Sequence, residues 1–409
     1  MIGKVLESSS LEITTRMEFE DFEKNKDNLK IGRYLQISIG NHESLIASIK
    51  GIKAIADNDN KEKYIMTAEP IGIIDDNGFL PGSTLLPSPT EPVDIAGQDV
   101  LEKIFQDNKK YSFPLGYLVQ NKEVKLNIDG NTFFSKHIGI VGSTGSGKSC
   151  TVAKILQEAV GIQEAGNINI TLQKNAHIII FDIHSEYKSA FTLADEQKFS
   201  LNYLDVEKLK LPYWLMNSEE LESIFIESNE ANSHNQISQF RRAVILNKEK
   251  YNPALSKVKY DTPVYFSIEE VYNYISNMND EVISKIANEE QVPKIINDKK
   301  EQEAIRDRKR YFEKRYTFIP TSTAAASKAS NGPFNGEFNR FISRLDNKIN
   351  DRRLDFLMKP QKENGDDYTS DDFDEILKQF LGYLNKANVS IIDLSGVPFE
   401  VLSITISLI

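Results

Sequence analysis

Apolar positions recur with two different periods along this chain, and the change of period divides it. Up to about residue 125 they come in short runs with partial two-residue alternation: Leu11-Glu12-Ile13-Thr14, Tyr34-Leu35-Gln36-Ile37-Ser38-Ile39, Ser44-Leu45-Ile46-Ala47-Ser48-Ile49 and Tyr64-Ile65-Met66-Thr67-Ala68, separated by Gly, Asn and Asp clusters. Alternation places one side of each run in a core, so these are strands, and several short strands at this spacing predict a small barrel or sandwich. The segment from Pro81 to Pro92 holds four prolines and reads as an extended connector. Gln98–Phe105 then reads as a short helix.

Beyond residue 125 the runs lengthen. His137-Ile138-Gly139-Ile140-Val141 and His177-Ile178-Ile179-Ile180-Phe181 read as buried strands, because four or more apolar residues in succession leave no face for solvent. Between them Val152, Ile155, Leu156 and Ala159 fall on one helical face. From Asp205 to Thr317 the pattern is charged and helical: Asn217 and Ser267 are plausible N-caps, and Leu221, Ile224 and Phe225, like Val271, Tyr274 and Ile275, keep i, i+3, i+4 spacing. Thr321 to Gly336, poor in large apolar residues, reads as a mobile loop. Phe338, Phe341, Ile342 and Leu345 mark a helix, Phe373–Leu384 another, Val389–Leu394 a strand, and a further helix starts after Pro398. The last residues, Val401 to Ile409, stop inside an apolar run with no cap or polar tail, which carries the expectation that a C-terminal portion is missing.

The apolar run before residue 142 opens directly into Gly142-Ser143-Thr144-Gly145-Ser146-Gly147-Lys148-Ser149, which fits G-x-x-x-x-G-K-[ST] at every fixed position. Glycines allow a tight turn that aims successive N–H groups at a phosphate, and the positive end of the following helix favours the same anion. The expected nucleotide cradle is Gly142, Ser143, Thr144, Gly145, Ser146, Gly147, Lys148, Ser149 and Cys150. Lys148 would reach the β- and γ-phosphates and Ser149 would ligate Mg²⁺. The competing reading is a glycine-rich turn that binds nothing; such a turn does not require Lys and Ser at those places.

A second chemical signal follows at Phe181-Asp182-Ile183-His184-Ser185-Glu186-Tyr187. An acid at the C-terminal end of a buried strand stands where ligands collect in open α/β sheets, so Asp182 is expected to hold Mg²⁺ and Glu186 to orient the attacking water. Competing readings are a loop cap for Asp182 and a solvent-facing or inter-subunit residue for Glu186. His184, with no Cys or second His nearby, makes no metal-site case. The strip Arg306, Arg308, Lys309, Arg310, Lys314 and Arg315 is mixed with Glu301, Glu303, Asp307 and Glu313, and reads as a solvated helix face rather than a DNA contact.

Composition narrows the classes. At 409 residues, with 40% hydrophobic and 27% charged residues, the chain has material for two or three soluble domains. Absence of an apolar run of about 18 residues argues against a membrane span. Cys150 is the single cysteine, which excludes an intrachain disulfide and suits a reducing cytoplasm. A formal net charge of −11 argues against coating by nucleic acid over the whole surface, though not against a local basic loop or pore.

Taken in order, the β-rich N-terminal region, Phe113-Pro114-Leu115-Gly116-Tyr117, the stretch Lys136–Ser149, Phe181-Asp182-Ile183-His184-Ser185-Glu186-Tyr187 and Ile391-Ile392-Asp393-Leu394-Ser395-Gly396-Val397-Pro398 resemble the HerA branch of the HerA/FtsK superfamily. The resemblance implies an α/β RecA-like P-loop NTPase core behind a small N-terminal β-barrel, with a helical insertion. Its boundaries fall at 1–120 for the barrel, 121–205 for the first part of the core, 206–335 for the insertion and 336–409 for the return to the core. It also implies ATP and Mg²⁺ as cofactors, a hexameric ring, duplex DNA as the track, and a nuclease or NAD-hydrolysing effector as partner, in DNA end resection or, in bacteria, in phage defence. It also carries the expectation that the family's arginine finger and main catalytic glutamate lie past residue 409. Within the chain, Arg340, Arg344, Arg352 and Arg353 are candidates to reach a neighbour's nucleotide, surface salt bridging being the commoner use of such residues. Ser185 departs from the Gly common in that family, a difference expected to matter little. The rival readings are a nucleotide-gated scaffold that activates a partner and, more remotely, a P-loop kinase or transporter-type ATPase.

Overall fold

The computed structural model describes residues 1–40, 43–56, 62–82, 85–106, 109, 111–119, 121–162, 177–192, 199–227, 232–382 and 387–409. Two compact units divide the chain, Met1–Lys174 and Asn175–Ile409.

In the first unit β1 (Gly3–Ser8), β2 (Ile13–Glu18), helix α1 (Phe19–Asn25), β3 (Tyr34–Ile39), β4 (Glu43–Ala56), β5 (Glu62–Asp75), β6 (Gly78–Pro81) and β7 (Pro92–Ile95) follow one another. The strands pair in the order β2-β1-β7-β3-β4-β5, and β2 returns to β5 from Ile13 opposite Ala68 to Glu18 opposite Lys63. A six-stranded antiparallel barrel results, with β6 extending one strand beyond it. Alternation is what fills it: Ile13 and Met17, Leu35 and Ile37, Leu45, Ala47 and Ile49, Met66 and Ala68 point inward and are buried. Outside, α2 (Gln98–Phe105) lays Val100 and Leu101 on Ile46 and Ile74. Its bounds agree with the helical reading. A hairpin of β8 (Ser112–Leu118) and β9 (Asn121–Asp129), a short α3 (Gly130–Phe134) and α4 (Lys148–Ala159) complete the unit.

The expected strand at 137–141 is not formed. Ile138, Ile140 and Val141 are 48%, 37% and 94% exposed, and the stretch enters no ladder among the described residues. β-propensity describes how a residue fits a pleated, half-covered surface.

The second unit holds a parallel sheet. β10 (Ile178–Asp182) is followed by α5 (Lys188–Phe191), β11 (Leu201–Leu204), α6 (Ser218–Phe225), α7 (Ser233–Tyr251), α8 (Ile268–Asp280), β12 (Val282–Ser284), β13 (Lys294–Ile296), β14 (Gln302–Ala304), β15 (Ala329–Asn331), α9 (Asn339–Ile349), α10 (Asp355–Met358), α11 (Phe373–Phe380), β16 (Val389–Asp393) and α12 (Phe399–Leu408). The last strand, β16, lies in the middle of the order β10-β16-β11, and its residues are buried throughout. One apolar core joins Leu204, Ile392 and Leu394 of the sheet to Trp214, Phe225, Phe240, Tyr274, Phe341 and Leu357. The helices between β11 and β16 are therefore built into the interior of this unit rather than hung on its surface.

Both N-caps are as expected. Asn217 Oδ1 accepts from Glu220 N at 3.0 Å while Glu220 Oε2 accepts from Asn217 N at 3.0 Å, a reciprocal capping box, and Ser267 Oγ accepts from Glu270 N at 3.3 Å. Between β11 and α9 the chain is α-helical only as far as Asp280, apart from short 3-10 turns at Tyr213–Leu215, Arg308–Phe312 and Ala325–Ser327. From Val282 on, β12 pairs with β15 and β13 with β14, both antiparallel. Pro293 lacks an N–H and Lys300 turns at φ 62°, while the mixed charges of 297–315 present no apolar stripe for a helix to bury. The expected loop at 321–336 contains β15, and residues 383–384 of the expected helix at 373–384, like 83–84 of the proline-rich connector, lie outside the described residues. No helix among those described is long and apolar enough to cross a membrane.

Candidate nucleotide site

The glycine loop stands at the surface of the first unit and is held from within. Gly145 and Gly147 adopt φ 80° and 85°, a left-handed backbone that disfavours any Cβ, and space is open where a side chain would project. At Gly142 the constraint is crowding: an added Cβ would come 2.5 Å from Ser146 Oγ. Ser146 N donates to Ser143 O at 3.2 Å and Lys148 Nζ to the same oxygen at 2.9 Å. The Thr151 N–H and hydroxyl both donate to Gly147 O, each at 2.9 Å, fastening the first turn of α4. Gly147 is the N-cap and no side chain caps the helix. A helix start of this kind leaves N–H groups for an anion. Thr144 is exposed on the loop, Ser149 is half-buried in the first turn, and Cys150 follows as an exposed free thiol.

In the second unit two carboxylates close adjacent parallel strands at the same level. Asp182 of β10 is the register partner of Asp393 of β16, and they are 2% and 4% exposed. Asp182 Oδ1 accepts from His184 N at 3.3 Å and Glu186 N at 3.1 Å, and Oδ2 from Tyr187 N at 2.9 Å. Its carboxylate thus gathers the loop that carries Glu186. Asp393 Oδ2 accepts from the Ser185 hydroxyl at 2.6 Å and the Tyr203 hydroxyl at 2.5 Å, while Oδ1 accepts from Ser395 N at 3.0 Å. Burial pushes the Asp393 carboxyl up, but the bonds from Ser185, Tyr203 and Ser395 outweigh it and hold the group down at about 2. Burial, with the bond to Asp393, pushes the Tyr203 phenol up to about 12. The Lys188 ammonium sits 4.0 Å from the centre of the Tyr203 ring.

The structure therefore joins Asp182 and Glu186 through one loop, as their spacing suggested, and adds Asp393, Ser185 and Tyr203, which residue-level reading missed. A signal was present: each strand is a run of four apolar or small residues ending in Asp, and two such strands side by side must end in paired carboxylates. Ser185, expected to matter little, bonds directly to one of them. Among the basic candidates, Arg306, Arg308, Arg310, Lys314 and Arg315 are each tied to a carboxylate, at 2.8 Å to Glu290, 3.0 Å to Glu281, 2.7 Å to Glu303, 3.4 Å to Asp298 and 3.2 Å to Asp280. Arg353 pairs with Asp351 at 2.7 Å. Arg340 and Arg344 line an open groove of about 480 Å³ along α9.

Comparison with known proteins places the chain. Residues 113–340, more than half of its 409 residues, match the family model described as the central domain of helicase HerA. The chain belongs to the HerA family. Within the HerA/FtsK superfamily it is similar to a probable helicase of Methanocaldococcus jannaschii, 26% identical over 216 residues, covering 48% of this chain and 38% of that protein. A probable DNA double-strand break repair helicase HerA of the same organism is 26% identical over 178 residues, 44% of this chain and 31% of its own length. The DNA double-strand break repair helicase HerA of Saccharolobus solfataricus is 42% identical over 74 residues, 18% of this chain and 12% of that protein. The chain thus matches only about a third of the length of the first two HerA-type relatives.

Proposed function

We propose that this chain is the nucleotide-handling region of an ATP-hydrolysing DNA motor subunit with a RecA-like core. The observation that carries the reading is the pairing, in one HerA-family chain, of an uncapped glycine loop with a parallel sheet whose strands end in two acids. Gly142 through Cys150 would cradle the phosphates, and Lys148 would leave Ser143 O to neutralise them. Ser149 and Asp182 would hold Mg²⁺. The donor set fits that ion: Ser149 and Asp182 offer oxygen only, and Mg²⁺ commonly takes one or two protein oxygens plus phosphate and water. Asp182 already accepts three N–H bonds, leaving about one lone-pair position, which suits a single water-mediated contact. Bound Mg²⁺ would neutralise charge on the phosphate oxygens as the terminal bond breaks. Glu186, fixed by its own N–H on Asp182, would orient the attacking water.

The resemblance supports assembly as a hexameric ring on duplex DNA with a nuclease or NAD-hydrolysing effector, a role in antiviral defence, and a cytoplasmic setting. The test is phosphate release by the full-length protein with and without duplex DNA, beside Lys148→Ala. DNA-stimulated hydrolysis and translocation that both vanish in the variant support the motor. Absence of hydrolysis under every DNA condition removes it. One observation favours a second reading, a nucleotide-gated scaffold: the cations at 306, 308, 310, 314 and 315 are spent on the protein's own acids. Partner activation retained by Lys148→Ala would decide for the scaffold.

A further inference from the structure

Within the loop His184–Tyr187, Ser185 is attached differently from its neighbours. His184, Glu186 and Tyr187 spend their backbone N–H groups on Asp182. Ser185 turns through φ 56°, and its hydroxyl reaches the adjacent strand, donating to Asp393 Oδ2 at 2.6 Å. The same oxygen takes the Tyr203 hydroxyl at 2.5 Å. Three residues further on, the Lys188 ammonium lies 4.0 Å from the centre of the Tyr203 ring. Glu186 and Tyr187 are therefore a two-residue span between two side-chain anchors, both ending on the Asp393–Tyr203 pair. A left-handed φ disfavours any residue with a Cβ, so glycine would suit this backbone better. What serine adds is a short hydrogen bond to a carboxylate, the stronger kind of hydrogen bond.

We propose that Ser185 is a positioning residue: through Asp393 and Tyr203 its hydroxyl ties the Glu186 loop to β16 and β11, fixing the Glu186 backbone over Asp182. The inference rests on the reading of Glu186 as the group that orients the attacking water. Two hydroxyls on one carboxylate oxygen also make the latch a shared element, so removing either loosens the same point.

Ser185→Gly in the full-length protein keeps the backbone turn and removes the hydroxyl. Its kcat for ATP hydrolysis is expected to fall about tenfold, with KM for ATP within about twofold of wild type. Its thermal midpoint is expected to shift by only a few degrees, because relief of the left-handed strain offsets part of the lost hydrogen bond. Tyr203→Phe lowers kcat in the same direction, and the double variant falls by less than the product of the two. Ser185→Asn, which tolerates positive φ and carries a donor, restores part of kcat. Amide exchange at Glu186 and Tyr187 quickens in Ser185→Gly. Wild-type kcat together with wild-type exchange in that variant overturns the proposal, as does a loss of kcat that only follows a lowered melting point. If the wild type hydrolyses no ATP, the reading of Glu186 fails on its own, and exchange at Glu186 and Tyr187 in Ser185→Gly still decides whether the latch holds the loop.

Discussion

The turn at 142–147 and the turn at 184–187 both pass through left-handed residues, yet they are held in opposite ways. The glycine loop is fastened by its own atoms: Ser143 O takes both Ser146 N and Lys148 Nζ, and the start of α4 has no side-chain cap. The acidic loop is fastened from outside, by two carboxylates on neighbouring strands that absorb three of its amides and one hydroxyl. A loop of the first kind offers N–H groups to an anion. The second kind has spent them and presents side chains instead. The chemistry each loop can do follows from where its hydrogen bonds go, not from its sharing a turn.

The most severe way to break this contrast is Lys148→Ala, which removes the one cation of the glycine loop. Hydrolysis is expected to fall by about 10²–10³-fold, read as phosphate release, with the melting point unchanged. Next comes Asp182→Ala, which orphans three loop amides and is expected to destabilise the second unit by about 3 kcal/mol in urea unfolding. An equal loss in the first unit would show that the two loops are not held independently.

Legibility divided along similar lines. The barrel was readable because each strand alternates on its own, and Gln98–Phe105, Asn217 and Ser267 because capping and helical spacing are local. The turn of the glycine loop was readable because its left-handed positions, Gly145 and Gly147, are spelled by residue type. Residues 137–141 were misread, since four apolar residues make a strand only where a partner edge exists. Residues 282–331 were misread as helix and loop because short strand pairs depend on contacts such as Val282 opposite Asn331, far apart in sequence. The contact between Ser185 and Asp393 escaped notice for the same reason: the hydrogen bond that joins them spans 208 positions, and a left-handed serine carries no sign of itself in the sequence.

A finer test uses acid. The Asp393 carboxyl sits at about 2 in the folded chain against an ordinary 3.8. A depressed folded value contributes stability at pH above about 4, and that stability is lost as pH falls from about 4 to 2, by about 2 kcal/mol. Wild type should therefore lose urea stability between pH 5 and pH 2.5 more steeply than Asp393→Asn; equal slopes would mean that Ser185 and Tyr203 do not hold a carboxylate. The smallest expected effect is that of Arg306→Ala. Its ion pair with Glu290 is between side chains 74% and 54% exposed, so stability should change by less than about 1 kcal/mol. If that strip is spent on its own acids, the salt dependence of DNA binding should not change either.

The central contrast is tested most directly by amide hydrogen exchange on the full-length protein, with and without ATP and Mg²⁺. Slowed exchange across 143–149 on adding nucleotide, with Glu186 and Tyr187 already protected in its absence, is the predicted result. Unchanged exchange across 143–149, or a 184–187 loop that is unprotected until nucleotide arrives, would contradict it.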